Sequence, residues 1–317
     1  MRTITLAKIG SMLGVIALLA SCDSMKKVAK PTEAAPGTTG NAQSLIRVTS
    51  DPIPEFYPQL SPDGSKLIFH TRDNNKPGME KWSVVMMNVG QPGRIPLVGA
   101  FTLTPSFYPD SKTIAYAYVK PTKPVIAKSL TDGSAGINYI ASNSMGDFDS
   151  SPKVSPDGKK IAFHTKFGDT YQISVMDATG MNPSILTEGT YPSWHPKATS
   201  LLYTKRVGKF DQVFQYDFKS GQSTQLTSGD FNNSDPSYSK DGRTIVFSST
   251  RDNENEHIFI MSENGSNITQ LTTGNTRNGM PIFAPNNVIY FCSNAGTKAS
   301  KVEWNSSDIW TLTPIMK

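Results

Sequence analysis

The stretch KVSPDGKKIAFHT, residues 153–165, decides the fold, because a near copy, QLSPDGSKLIFHT, stands at residues 59–71. Ser-Pro-Asp-Gly is the formula of a tight turn. Ser suits the first position of a type I turn, Pro presets φ at the second, Asp tolerates the third and Gly suits the fourth. A β-rich apolar run such as Ile161 to Phe163 follows each copy, so each reads as a hairpin between two strands. Degraded copies continue along the chain: PSFYPDSKTIAY from Pro105, PSWHPKATSLLY from Pro192, PSYSKDGRTIVF from Pro236 and PIFAPNNVIYF from Pro281. With Pro58 and Pro152, the six leading prolines lie 47, 47, 40, 44 and 45 residues apart. That period suits four short strands and their turns, the unit of a propeller blade.

The remaining strands fit this unit. QISVMD, HIFIMS and DIWTLT read as third strands, and SILTEG, TQLTSG and TQLTTG as fourth strands. Both faces of a blade pack on neighbours, which explains continuous apolar runs without polar alternation. The expected fold is therefore all-β, a six-bladed propeller of four-stranded blades. The last repeat runs out after its third strand, whereas SLIRVTSD, residues 44–51, matches the fourth-strand pattern and has no blade of its own. It is expected to pair with Ile309 to Thr313 and close the ring, since closure removes two open edges. In the innermost strands, Leu60, Phe107, Val154, Trp194, Tyr238 and Phe283 should wedge between blades. Their neighbours Gln59, Ser106, Lys153, Ser193, Ser237 and Ile282 should point into the central channel.

Upstream of the repeats the chain changes character. Arg2 and Lys8 precede an apolar run, Ile9 to Ala20, that is short for a membrane span and ends in LASC. This ending resembles the lipobox of bacterial lipoproteins, which implies a signal peptide over 1–21 and lipidation at Cys22. Residues 22–43 are polar and rich in Lys, Pro, Ala, Gly and Thr, and read as a flexible tether ahead of a propeller over 44–317. Loss of Arg2 and Lys8 takes the net charge from +5 to +3, too weak and dispersed for a nucleic-acid partner. Cys292, in the apolar strand VIYFCS, reads as a buried inert thiol.

The repeats SPDGKKIAFHT and SKDGRTIVFSSTRDNENEHIFIMSENGSNITQLT resemble those of the TolB-like propeller family, over essentially the whole chain after the tether. The α/β domain that precedes the propeller in TolB has no counterpart in the tether. The resemblance implies an exported, periplasm-facing protein of the cell envelope, with an envelope protein such as a peptidoglycan-associated lipoprotein as partner. The same blade also occurs in prolyl-oligopeptidase-type peptidases and oligogalacturonate lyases, so the fold alone does not choose a function.

No G-x-S-x-G elbow, P-loop, dinucleotide fingerprint or zinc spacing is present, and no cofactor is expected. His70 and His164 end equivalent second strands, His195 replaces a turn Ser and His257 starts a third strand, so they do not converge on one metal. The run Asp252 to Glu256 reads as a solvated hairpin turn rather than a calcium loop. What remains is the face opposite the Ser-Pro-Asp-Gly turns, where loops vary and carry charge. His70, Arg72, Asp149, His164, Phe231, Asp235, Arg251 and Arg277 are the expected partner-binding residues there. The function read from the sequence is a non-catalytic, lipid-anchored binding scaffold. Its rival is an oligogalacturonate-lyase-like enzyme acting at the channel mouth.

Overall fold

The two Ser-Pro-Asp-Gly turns and the Ser-Lys-Asp-Gly turn at residues 239–242 fold as the formula demands. Gly64, Gly158 and Gly242 each donate their N–H to the carbonyl of the turn's first Ser, at 2.8, 2.8 and 2.9 Å, and each takes a positive φ that a β-carbon would strain. The Ser hydroxyl donates to the turn Asp (Ser61 to Asp63, 2.5 Å; Ser155 to Asp157, 2.6 Å; Ser239 to Asp241, 2.6 Å) and accepts from the backbone N–H five residues on. These donors hold the Asp63 carboxyl down at about 2. His195 takes over the Ser role in the fourth repeat, where its Nδ1 accepts from the Lys197 N–H at 3.1 Å.

The computed structural model describes residues 35–50, 52–119, 124–134, 136–140, 145–252, 255–296 and 307–315. Among them the strands form six four-stranded antiparallel sheets and one short two-stranded pairing. Blade 1 consists of Glu55–Leu60, Lys66–Arg72, Trp82–Asn88 and Ile95–Val98, from the axis outward. The innermost strands of blades 2 to 6 are Thr102–Phe107, Phe148–Val154, Thr190–Trp194, Asn233–Tyr238 and Asn278–Phe283. One 3-10 turn, Gly78–Lys81, is the helical element among the described residues.

Each second strand contributes one aromatic ring to the middle of its blade: Phe69, Tyr116, Phe163, Tyr203, Phe247 and Phe291, all essentially without solvent contact. Burial of each ring stabilises by roughly 1.5–3 kcal/mol, which makes this six-fold series the main apolar frame of the ring. Trp194 and Tyr238 wedge between blades, and the Trp194 indole donates to the Lys153 carbonyl at 2.7 Å across one such seam.

Blade 6 takes its fourth strand from far upstream. Ala42–Arg47 lies antiparallel to Asp308–Pro314, with Ala42 opposite Pro314 and Arg47 opposite Trp310. Arg47 also reaches Asp308 at 2.5 Å. Contacts with the ring also occur within the stretch expected as tether. Gly37–Thr38 pair with Thr272–Thr273, and the Thr39 hydroxyl donates to the Gln270 carbonyl at 2.7 Å. Backbone pairing and a small side chain at Ala42 supply this attachment, which a reading by polarity alone passes over. Cys22 and the expected signal segment lie outside the described residues.

Candidate functional site

Each of the six innermost strands breaks register at one place, just before its leading proline. The residue there adopts a left-handed φ in every blade: Tyr57 (52°), Thr104 (46°), Ser151 (52°), Tyr191 (53°), Asp235 (50°) and Met280 (55°). A following proline disfavours the right-handed helical region, and a left-handed non-glycine residue costs on the order of 1 kcal/mol or more. The ring accepts this cost six times. All six residues line a chamber of about 120 Å³ on the axis, together with Gln59, Lys153, Ser193, Ser237 and Ile282.

The bulge frees the backbone N–H of that residue for the neighbouring blade. Thr104 donates to His70 Nδ1 at 3.1 Å, Tyr191 to His164 Nδ1 at 3.3 Å and Asp235 to the Thr204 hydroxyl at 3.3 Å. In blade 3 the Ser151 N–H instead finds the Thr104 hydroxyl at 3.1 Å. A histidine that accepts at Nδ1 must be neutral. Burial pushes both His70 and His164 down to about 3, and for His70 the Arg72 charge adds to it.

Tyr57 and Tyr191 come from opposite blades, and their rings stack on the axis with centroids 5.5 Å apart and planes at 16°. His70 and His164 pack against them, each 5.4 Å from its tyrosine. The pair borders the inner chamber on one side and a cavity of about 610 Å³ at the loop face on the other. Two long hairpins wall this mouth, Lys160–Phe167 with Thr170–Asp177 and Ser200–Val207 with Phe210–Asp217. Their tips leave Phe167 and Val207 exposed.

Carboxylates outnumber cations in the mouth: Asp169, Glu188, Asp211, Asp235 and Glu256 against Arg206, Lys209 and Arg277. Glu256 is paired with Arg277 at 3.1 Å, and Asp211 with Arg206 at 3.3 Å. Burial raises the Asp211 carboxyl against the pull of Arg206. Asp235 is raised further, to about 7, first by burial and then by Glu256 and Asp211, against Ser234 and Lys153. Its Oδ2 accepts from the Ser234 hydroxyl at 3.3 Å, while its Oδ1 is buried with no hydrogen-bond partner. Lys153, in the chamber beyond the tyrosines, is lowered to about 8 by burial, with Asp235 opposing.

Of the residues expected on an exposed binding face, the structure brings Asp235 and Arg277 together at the mouth. The others lie outside the lining of this cavity. His70, Arg72, Asp149 and His164 are buried. The two histidines are inter-blade acceptors, Asp149 accepts from the Met145 N–H at 3.2 Å, and Arg72 lies over Phe56 and Trp82, 5.5 Å from each ring. Arg251 is held over Phe231, Phe247 and Phe259 at 5.0, 5.4 and 5.1 Å and donates to Asn233 at 2.8 Å. Phe231 is thus a cover for Arg251. Glu256, expected in a solvated turn, is buried through its pairing with Arg277. Ser106, expected in the channel, is buried and accepts from the Val154 N–H at 3.2 Å.

Tyr57, Tyr171, Tyr191, Arg206 and Asp211 are among the residues that expectation missed. Tyr57 and Tyr191 had a signal in the sequence, because each stands directly before a leading proline.

Comparison with known proteins agrees with this architecture. A family model described as the TolB beta propeller domain matches residues 92–309. An uncharacterized protein of Agrobacterium fabrum, Atu1656, is 32% identical over 124 residues, 38% of this chain and 42% of that protein. The Tol-Pal system protein TolB of Francisella tularensis is 24% identical over 115 residues, 34% of this chain and 26% of that protein. The match thus spans less than half the length of either relative. Among solved structures, TolB from Acinetobacter baumannii superposes with a TM-score of 0.63 at 19% identity, covering 79% of this chain and 64% of that one. An oligogalacturonate lyase from Vibrio parahaemolyticus superposes with a TM-score of 0.56 at 11% identity, covering 91% and 98%. The two structural likenesses speak for the fold alone. With its family model matched over more than half its length, the chain belongs to the TolB β-propeller family.

Proposed function

We propose that the protein is a non-catalytic binding scaffold of the bacterial cell envelope, which takes a segment of a protein partner into the channel mouth on its loop face. The observation that carries this reading is the mouth itself: a 610 Å³ cavity floored by Tyr57 and Tyr191 and walled by two projecting hairpins with apolar tips. Tyrosine and arginine around a cavity are the side chains that anchor protein segments, and Phe167 and Val207 extend the contact outward. The TolB relative is named for the Tol-Pal system, and the TolB-like resemblance makes a peptidoglycan-associated lipoprotein or another envelope protein the natural partner. The LASC ending supports export and lipidation at Cys22, which would hold the propeller at a membrane facing the periplasm.

The second reading, an enzyme like the oligogalacturonate lyase, draws support from the likeness of fold. Two features of the mouth weigh against it. His70 and His164 are occupied as backbone acceptors between blades, and an excess of carboxylates repels an acidic polysaccharide. Pull-down from membranes with wild type, a Phe167→Asp/Val207→Asp variant of the hairpin tips beside the mouth and a Lys159→Glu/Lys240→Glu variant of the opposite face tests the choice. Loss of partner in the mouth variant alone supports the scaffold. Turnover of an acidic polysaccharide by wild type with no stable partner supports the enzyme.

A further inference from the structure

The six neck positions are equivalent by construction, and the fold asks nothing acidic of them. Five hold Tyr57, Thr104, Ser151, Tyr191 and Met280; the sixth holds Asp235. A carboxylate placed there lies among other carboxylates and keeps one buried oxygen without a donor, an arrangement that costs stability unless something fills it. The mouth beside it has room for a chain end, with Tyr57, Tyr171 and Tyr191 in its lining. A carboxylate beside aromatic side chains around one cavity is the chemistry that recognises an alkylammonium, through a charge-assisted hydrogen bond to the head and apolar contact along the chain.

We propose that the channel mouth is an ammonium-recognition site in which Asp235 accepts a primary ammonium group and Tyr57, Tyr171 and Tyr191 line the path of its alkyl chain. The inference deepens the partner reading above, since a lysine side chain of an inserted segment carries this group. A free alkyl diamine carries it too. Glu256 and Asp211 are engaged by Arg277 and Arg206, which leaves Asp235 as the acceptor for an incoming cation. Lys153 competes from the inner chamber, which Asp235 also lines, but Lys153 is not part of the mouth lining. The groups that face Asp235 are Ser234 on its own strand, Asp211 from blade 4, Glu256 and Arg277 from the blade 5 and 6 side, and Lys153 from blade 3. Ionisation of Asp235 near neutral pH makes recognition strengthen as pH rises from 6 to 8.

Calorimetric titration of the full chain with 1,5-diaminopentane, with a tetrapeptide blocked by acetyl at its N-terminus and containing one lysine, and with the same blocked peptide acetylated at that lysine tests the site. The expected result is binding of the diamine and the free-lysine peptide, no binding of the acetylated peptide, and a Kd raised about tenfold or more by Asp235→Asn. Lys153→Met retains or tightens binding, which shows that Asp235 is more than the structural counter-charge of Lys153. Equal binding of free and acetylated peptides, or a Kd unchanged by Asp235→Asn in a variant whose melting is cooperative, overturns the inference. Partner capture that survives Asp235→Asn undiminished removes the ammonium site and leaves the scaffold reading standing. Diamine binding that depends on Asp235, without any captured partner, keeps the ammonium site and removes the scaffold reading.

Discussion

Tyr57 and Tyr191 meet face to face on the axis of the ring, 5.5 Å apart, although they come from blades on opposite sides. Two left-handed bulges carry them there, and two buried histidines brace them. The consequence is a closed neck: Lys153 sits behind the pair and the mouth cavity in front of it. Stacked rings of this kind contribute about 0.5–1.5 kcal/mol beyond the area they bury. A double-mutant cycle of Tyr57→Leu and Tyr191→Leu is expected to return a coupling energy in that range. The double variant is also expected to make Lys153 react faster with an amine-acylating reagent, read by mass spectrometry.

His70 and His164 link stability to acid. Both are held near 3 in the folded protein, below the usual value of 6.5, so the unfolded chain binds protons first as pH falls. Their contribution is complete above pH 6.5 and is lost progressively below it, by up to about 1.4 kcal/mol per pH unit for each histidine. Urea melts between pH 4 and 7.5 check this. His70→Gln and His164→Gln, which keep an acceptor without the titration, are expected to flatten the acid limb.

Asp235 works in the opposite direction. Its folded pKa of about 7 lies above the ordinary 3.8, so the native state holds the proton longer and wild type loses stability as pH rises between the two values. The difference in unfolding free energy between Asp235→Asn and wild type is expected to move in the variant's favour from pH 4 to pH 8. A difference that stays constant with pH contradicts the assignment.

The ring is closed by pairing between distant segments. Deletion of residues 42–47 exposes an edge of Asp308–Pro314, uncovers the apolar cluster around Trp310 and Leu312 and abolishes the Arg47 to Asp308 contact. A loss of several kcal/mol, on the order of 10 °C in Tm, is expected by calorimetry. Lys159→Ala, exposed on a Ser-Pro-Asp-Gly turn, is expected to change stability by less than about 0.5 kcal/mol.

The fold was legible because its information is local and repeated. Ser155 to Gly158 makes the same turn wherever its pattern recurs, and a period of 40 to 47 residues admits few architectures. The channel lining was legible in part, since strand alternation places Gln59, Lys153 and Ser237 correctly. It fails at the bulge, where two residues oppose one and the alternation slips, so alternation alone does not place Tyr57, Tyr191 and Asp235 at the axis. The surroundings of the charged side chains were illegible for a different reason. Arg72 and Arg251 follow strand ends and look solvated, but each finds aromatic faces on neighbouring strands that sequence order does not bring together. Pairing of Glu256 with Arg277 is likewise a contact between blades.

The central claim, that the loop-face mouth receives a protein partner, is tested most directly by site-specific photo-crosslinking in intact cells. A photoreactive amino acid is placed at Phe167 or Val207 beside the mouth, and at Lys159 or Lys240 on the opposite face, all exposed positions. The account predicts a discrete crosslinked protein from Phe167 and Val207 that weakens in the Tyr171→Ala background, and none from Lys159 or Lys240. A crosslinked partner from Lys159 and Lys240 alone, or none from any position in cells where the protein is abundant, contradicts it.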